Sequence, residues 1–279
     1  FLINGTARAG IEACLGSLVS CGDKVLVPRF GRFGHLLTEI AQRVGGDVVT
    51  LDAEWGTVFG TDSICDAIRE HRPRVVALVH GDTSTTMAQP LEGISAACRE
   101  VDALLYVDTT ATLCGMPIPV DDLQLDAVST GLQKCMSGPP GTSPITINER
   151  AAAVVNNRKH IEGGIRPDDY VAGDGPKIIS NYLDLGMLMD YWSPKRLNHH
   201  TESTSMLYAA RECARVILEE GLEAGFARHE LASRALRSGL KAMGLELFGD
   251  QTNSMTNVTG ILIPKVCGDG EGVRSQMLH

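Results

Sequence analysis

Residues 1–155 predict an α/β protein built on a mainly parallel sheet. Short apolar runs alternate with helical stripes, the pattern of strands joined by right-handed crossover helices. Val75-Val76-Ala77-Leu78-Val79 is apolar throughout, as in a strand covered on both faces. Polar clusters directly follow such runs at Asp82-Thr83-Ser84, Asp108-Thr109-Thr110 and Gln133-Lys134, where ligand loops gather at the carboxyl ends of parallel strands.

In order, Phe1-Leu2-Ile3 reads as a strand and Asn4–Gly10 as a glycine-rich turn. A helix follows with Ile11, Leu15 and Leu18 on one face. Lys24–Val27 is a strand, Pro28–Gly34 a loop carrying Phe30 and Phe33. Leu36, Leu37, Ile40, Ala41 and Val44 form a helical stripe, stopped by Gly45-Gly46. Asp47–Leu51 is a strand, and a helix over Asp62–His71 is ended by Pro73. After the Val75–Val79 strand, Ile94–Glu100 is helical. The runs Ala103–Val107 and Leu125–Val128 then deliver Asp108 and Lys134 at strand ends, and Ser143–Ile147 and Glu149–Val155 read as strand and helix.

From Asn156 to Asn198 the pattern becomes polar and turn-rich, around Gly163-Gly164, Pro167-Asp168-Asp169 and Gly173–Pro176. A helix carries Leu183, Leu185, Met187 and Leu188. Ser205–Glu220 is a longer one, with Leu207, Ala210, Cys213, Ala214 and Ile217 as its buried face. Another helix over Leu222–Met243 leads to strands at Leu245–Phe248 and Val258–Pro264. The alternation ends here, which divides the chain into a large unit, 1–220, and the start of a smaller one, 221–279. The chain opens without methionine on a strand and stops at Gln276–His279 on the first turn of a helix, so further sequence is expected at both ends.

A net charge of −9 and a pI near 5.4, with no basic stripe, argue against nucleic-acid binding. No apolar run approaches the roughly 20 residues that cross a bilayer. The eight cysteines contain no C-x-x-C pair, which argues against a disulfide framework or zinc site and for the reducing cytoplasm.

A lysine and an aspartate at neighbouring strand ends suit a pyridoxal phosphate (PLP) enzyme. The lysine bonds the cofactor's aldehyde and the carboxylate keeps its ring nitrogen protonated. Lys134 precedes the stiff loop Gly138-Pro139-Pro140-Gly141. Asp108 also reads as a helix N-cap; a pyridinium's need for an ionised partner favours the cofactor role. Asn4–Gly10 leads into a helix N-terminus, a natural phosphate seat. Phe33 reads equally as core packing or as a ring stacked on a flat cofactor. Adjacent His199 and His200 lack a third ligand, so no metal is expected. Gly268-Asp269-Gly270-Glu271-Gly272 reads as a surface turn.

Several motifs appear in the order and spacing of class V aminotransferases. They are Asn4-Gly5-Thr6-Ala7-Arg8, Gly31-Arg32-Phe33-Gly34, His80–Thr85, Val107–Ala111, Gly131–Lys134, Gly138–Thr142 and Asn198-His199-His200-Thr201. Over essentially its whole length the chain resembles the alanine–glyoxylate and serine–pyruvate group of that family. The resemblance implies a fold type I PLP transferase: a large domain with a mainly parallel seven-stranded sheet, and a smaller α+β C-terminal domain, incomplete here. It implies Lys134 as Schiff-base lysine and Asp108 as partner of the ring nitrogen. Thr110 would lie against the ring, Phe33 would take the place of the stacking aromatic, and Thr83 would sit beside the ring hydroxyl. Thr6, Ala7, Arg8 and Gln133 would form the phosphate shell, although many relatives have Gly-His in place of Ala7-Arg8. Thr201 would reach the phosphate of a partner subunit in a homodimer.

Asn198 stands where alanine–glyoxylate enzymes tend to have tyrosine, and resembles the ureidoglycine–glyoxylate branch of purine catabolism. Its amide both donates and accepts, which suits a ureido group. The resemblance therefore implies transamination of (S)-ureidoglycine with glyoxylate, giving oxalurate and glycine. Alanine–glyoxylate or serine–pyruvate exchange, a class V desulfurase or lyase, and a non-catalytic α/β binding protein are the alternatives. An arginine for the substrate carboxylate is expected beyond the chain, since nothing after Arg274 matches it.

Overall fold

A computed structural model describes residues 1–277, so the last two residues of the predicted 221–279 unit lie outside the described part. The chain begins β1 (Leu2–Asn4), α1 (Ala7–Leu18), β2 (Lys24–Arg29), α2 (Arg32–Arg43), β3 (Asp47–Asp52), α3 (Thr61–His71) and β4 (Val75–Val79). A small hairpin, β5 (Gly81–Asp82) and β6 (Met87–Ala88), precedes α4 (Ile94–Glu100). Then come β7 (Leu104–Asp108), β8 (Ala127–Ser129), β9 (Thr142–Ile147) and α5 (Glu149–Asn157). The remainder is helical: α6 (Leu185–Trp192), α7 (Thr204–Glu220), α8 (Leu222–Ala242) and α9 (Gly270–Met277).

Seven strands form one sheet in the order β1-β9-β8-β7-β4-β2-β3. The pairs from β8 through β3 are parallel, while β9 runs antiparallel to both β8 and β1. The expected mainly parallel sheet is thus present. Its apolar runs divide by the two-residue period of a strand. Val25, Val27, Val75, Ala77, Val79, Leu104 and Tyr106 belong to the core layer that also holds Leu15, Leu18 and Leu37 of α1 and α2. The residues between them, Leu26, Val76, Leu78, Leu105 and Val107, face Ile64 and Ile68 of α3 and Ile94 of α4. Burial on both faces is why these strands read as unbroken apolar runs.

Arg158 ties α1 to the turn-rich excursion. It is 4% exposed and donates to the carbonyls of Ser17 (2.9 Å) and Val19 (2.8 Å) at the end of α1, and to Pro176 (3.0 Å). The last carbonyls of a helix lack intrahelical partners, and a buried cation answers them.

Several expectations are corrected. Pro28 and Arg29 continue β2, and α2 begins at Arg32, so Phe33 lies in a helix's first turn and not in a loop. Proline is tolerated there because β2 pairs with β4 only at Val25 and Leu26, leaving no ladder bond on that side for Pro28 to supply. The run through Leu125–Val128 ends as strand at Ser129, and Lys134 sits on the following turn, where Ser137 N–H donates to the Lys134 carbonyl (2.9 Å). On α7, Leu207, Ala210, Cys213 and Ile217 are only half-buried and Ala214 is exposed. This helix covers the Gly138–Gly141 turn, and a Cβ at Gly138 would come 2.6 Å from Cys213 Sγ. The strands foreseen at 245–248 and 258–264 shrink to one bridge, Leu247 to Ile261. Asp269 Oδ1 accepts from Gly272 N–H (2.8 Å), so the 268–272 glycine segment starts α9 and is not a plain turn.

Candidate active site

The register of the sheet sets the site. Asp108, last in β7, lies level with Val79 of β4 and Ser129 of β8. The segments leaving these three strands line a cavity of about 400 Å³ with the N-termini of α1 and α2.

Thr6, Ala7 and Arg8 form one wall at the start of α1. Thr6 is the N-cap by backbone position, yet its hydroxyl makes no capping bond. The exposed Thr6 and Arg8 and the free N–H groups of the first turn therefore offer a seat for an anion. The helix lies close on the sheet because Gly10 has no Cβ; one there would fall 2.0 Å from Ser143 Oγ.

Phe33 and Leu36 of α2 form the facing wall. Asp82, fully buried on β5, caps this helix. Its Oδ2 accepts from Phe33 N–H (2.7 Å), and its Oδ1 accepts from the Ser84 hydroxyl (2.6 Å). Ser84 Oγ in turn accepts from Arg32 N–H (2.9 Å). Gly31 permits the approach, since a Cβ there would lie 2.3 Å from Asp82 Cγ. Phe33 packs on the core, as one of its two expected descriptions has it, and also lines the cavity.

Asp108, Thr110, Thr83, Gln133 and Lys134 complete the lining. Asp108 is 3% exposed, and its Oδ1 accepts from Thr110 N–H (2.9 Å) and Thr110 Oγ1 (2.5 Å). Burial pushes its carboxyl above the usual range, against the Thr110 bonds, which pull it down. Gln133 Oε1 is buried without a hydrogen-bond partner, while Lys134 is exposed at the cavity rim. Gly131 gives Gln133 its room, because a Cβ there would lie 2.4 Å from Oε1. The cavity thus combines an anion seat, an apolar wall, a buried carboxylate, an orphaned amide oxygen and an accessible amine. A flat protonated ring with an aldehyde and a phosphate fits that set.

Asn198 and Thr201 are not brought to this cavity. Both are exposed, and Asn198 lines a separate surface hollow with Tyr191, Trp192 and Arg196. Among the described residues no group of three His, Cys, Asp or Glu side chains is arranged to hold a metal, and no helix is long and apolar enough to cross a membrane. All eight cysteines are unbridged.

Three contributors escaped the sequence reading. Asp82 was legible only as part of a polar cluster; its capping of α2 depends on a contact 49 residues away in the chain. His80, held by Thr112 Oγ1 at 2.8 Å and pushed down to about 4 by burial, directly precedes Gly81 of the lining. Asn257 comes from the far end of the chain, and its Nδ2 donates to the Ala111 carbonyl (2.6 Å) and to Cys135 Sγ (2.8 Å), next to Lys134. An adjoining cavity of about 310 Å³ shares Thr83 and Lys134 with the first and adds Arg228, His229 and Asn257.

The chain is 52% identical over 278 residues to the (S)-ureidoglycine–glyoxylate transaminase of Bacillus subtilis, covering 99% of this chain and 67% of that protein. It is 32% identical to the alanine–glyoxylate aminotransferase of Drosophila melanogaster, covering 94% of this chain and 64% of that one. The crystal structure of the ureidoglycine–glyoxylate aminotransferase from B. subtilis superposes with a TM-score of 0.91 at 50% identity, over 100% of this chain and 67% of the other. That of the alanine–glyoxylate aminotransferase from Nostoc sp. gives 0.91 at 35% identity, over 100% and 70%. The chain therefore spans about two thirds of the length of these relatives. Residues 1–267 match the aminotransferase class V family, and the chain belongs to that family of fold type I, pyridoxal-phosphate-dependent enzymes.

Proposed function

We propose that the protein transfers an amino group from (S)-ureidoglycine to glyoxylate, as a cytoplasmic homodimer using pyridoxal phosphate. The observation that carries this reading is the meeting of the Lys134 amine, the buried Asp108 carboxylate and the open start of α1 on one cavity. The identity to the B. subtilis transaminase and the amide at Asn198 support the choice of donor. Residues 1–220 act as the cofactor-binding unit, and 221–279 begin a smaller one.

When bound, the cofactor supplies an electron sink into which a Cα–H bond of an amino acid breaks. Thr6, Arg8, the first-turn N–H groups of α1 and Gln133 hold its phosphate, joined by Thr201 of a second copy. Phe33, Thr110 and Thr83, which line the cavity, would hold its ring. Asp108 keeps the ring nitrogen protonated: Thr110 occupies Oδ1, and a cation beside the carboxylate reverses the upward push of burial. Lys134 would hold the aldehyde through Nζ. Once free, the Lys134 amine would take the proton from the donor Cα. The products would be oxalurate from the donor and glycine from glyoxylate. Asn198 hydrogen-bonds the donor's ureido group in the neighbouring subunit's site.

A half-reaction screen tests this. Purified protein is mixed with ureidoglycine, alanine or serine and followed at the cofactor's absorbance band. Ureidoglycine is expected to be fastest; alanine outpacing it overturns the donor assignment, and absence of a borohydride-sensitive chromophore overturns the cofactor chemistry.

A further inference from the structure

His199 and His200 lie between α6 and α7, flanked by Asn198 and Thr201. Their rings form a continuous hydrogen-bonded line. His199 Nε2 lies 3.1 Å from the Asn181 carbonyl, the two Nδ1 atoms are 2.8 Å apart, and His200 Nε2 lies 3.0 Å from Glu202 Oε2. Glu202 Oε1 accepts from Ser203 N–H (2.9 Å), the N-cap of α7, so the line joins the loop before α6 to the start of α7. The side chains of His200 and Glu202 are 7% and 9% exposed. Tyr191 stacks on His200 at 4.6 Å and Tyr182 meets it edge-on at 5.5 Å.

The partners fix where the protons lie. A carbonyl only accepts, so His199 Nε2 carries hydrogen. A carboxylate only accepts, so His200 Nε2 does too. Two nitrogens 2.8 Å apart share one further proton. The two rings together therefore hold three protons and one positive charge, which Glu202 balances; moving a proton onto Glu202 relocates it without changing the total. With a fourth proton, two N–H groups would face each other between adjacent cations. With only two, a pair of lone pairs would face. Either change breaks the line.

We infer that His199, His200 and Glu202 form a three-proton clamp that positions Asn198 and Thr201, and that it holds only between two protonation steps. The inference rests on the proposed roles of those two residues. The other ionisable groups facing the rings are Tyr182 and Tyr191, whose phenols burial pushes up so that they stay neutral, and Glu162, which accepts from Asn181 Nδ2 (3.1 Å). Burial also pushes His199 down.

Isotope-labelled histidine nitrogens in the holoenzyme, observed by solid-state NMR, test the clamp without turnover. The expected spectrum shows one cationic and one neutral ring, with a coupling between two Nδ1 nuclei across the shared proton. Two neutral rings, or no such coupling, overturn the clamp even if the enzyme transaminates. In the second arm, Glu202→Gln removes the balancing charge while keeping an acceptor, so the third proton is held less tightly. Its KM for the amino donor is expected to exceed wild type several-fold near pH 8 and to approach it near pH 6, with kcat nearly unchanged. A pH-independent loss in kcat and KM alike contradicts a positioning role. Failure of the donor screen alone leaves the NMR result standing, which separates the two readings.

Discussion

Asp108→Asn separates what the carboxylate does for the fold from what it does for the reaction. In the cofactor-free cavity the carboxyl is 3% exposed and lifted above its usual range, chiefly by burial. For an acid whose folded-state pKa is raised, the native state binds more protons than the unfolded one. Stability then falls as pH rises through the acid's unfolded value, near 3.9, up to its folded value. At neutral pH the carboxyl is therefore a net burden on the cofactor-free protein. An amide of the same shape can still accept from Thr110 through Oδ1 and carries no charge. Cofactor-free Asp108→Asn should match or exceed wild type in Tm at neutral pH. On the proposed pairing of Asp108 with the ring nitrogen, the sign reverses with the cofactor, because the ring N–H⁺ loses its counter-charge. Removing one partner of a buried charged pair costs about 3–5 kcal/mol, which corresponds to about two to four orders of magnitude in kcat at about 1.4 kcal/mol per tenfold. Thermal melts with and without cofactor, beside single-turnover rates, measure both effects. A cofactor-free variant several degrees less stable than wild type, or a holoenzyme within about tenfold of its rate, would refute the reasoning.

Arg158→Met should cost about 3 kcal/mol in urea unfolding, because the carbonyls of Ser17, Val19 and Pro176 lose a buried charged donor; a loss below about 1 kcal/mol contradicts the capping account. Gly31→Ala places a methyl 2.3 Å from Asp82 Cγ and should loosen the cap on α2 and the setting of Phe33, weakening cofactor binding by about tenfold; an unchanged cofactor titration counts against that role of Asp82. Asn198→Tyr should shift the donor ratio toward alanine in the half-reaction screen, and an unaltered ratio removes Asn198 from specificity.

The parts of the fold legible in the sequence were those that local pattern dictates. Val75–Val79 and Leu104–Asp108 alternate between two core layers, and no other element buries both faces of so short a run. Asp108 was legible because it ends a strand, and Lys134 and Thr6–Arg8 because they come after one; the register of β4, β7 and β8 brings the ends of those three strands level. Long-range contacts were not legible. Asp82 caps α2, Arg158 closes α1 and Asn257 reaches Cys135 through spacings of 49, 141 and 122 residues, and no local periodicity encodes such pairs. The half-buried face of α7 misled for a related reason: apolar spacing shows that a helix is amphipathic, not how fully it is covered. The segments 245–248 and 258–264 had strand composition, but a ladder needs a partner along its whole length, and theirs is a single bridge.

The central claim is that Lys134 is the residue to which the cofactor is joined. Borohydride reduction of the yellow holoenzyme, followed by proteolysis and mass mapping, tests it directly. The expected result is a pyridoxyl-phosphate adduct on the peptide containing Lys134 and on no other lysine. An adduct on a different lysine, or none despite bound cofactor, would contradict the account.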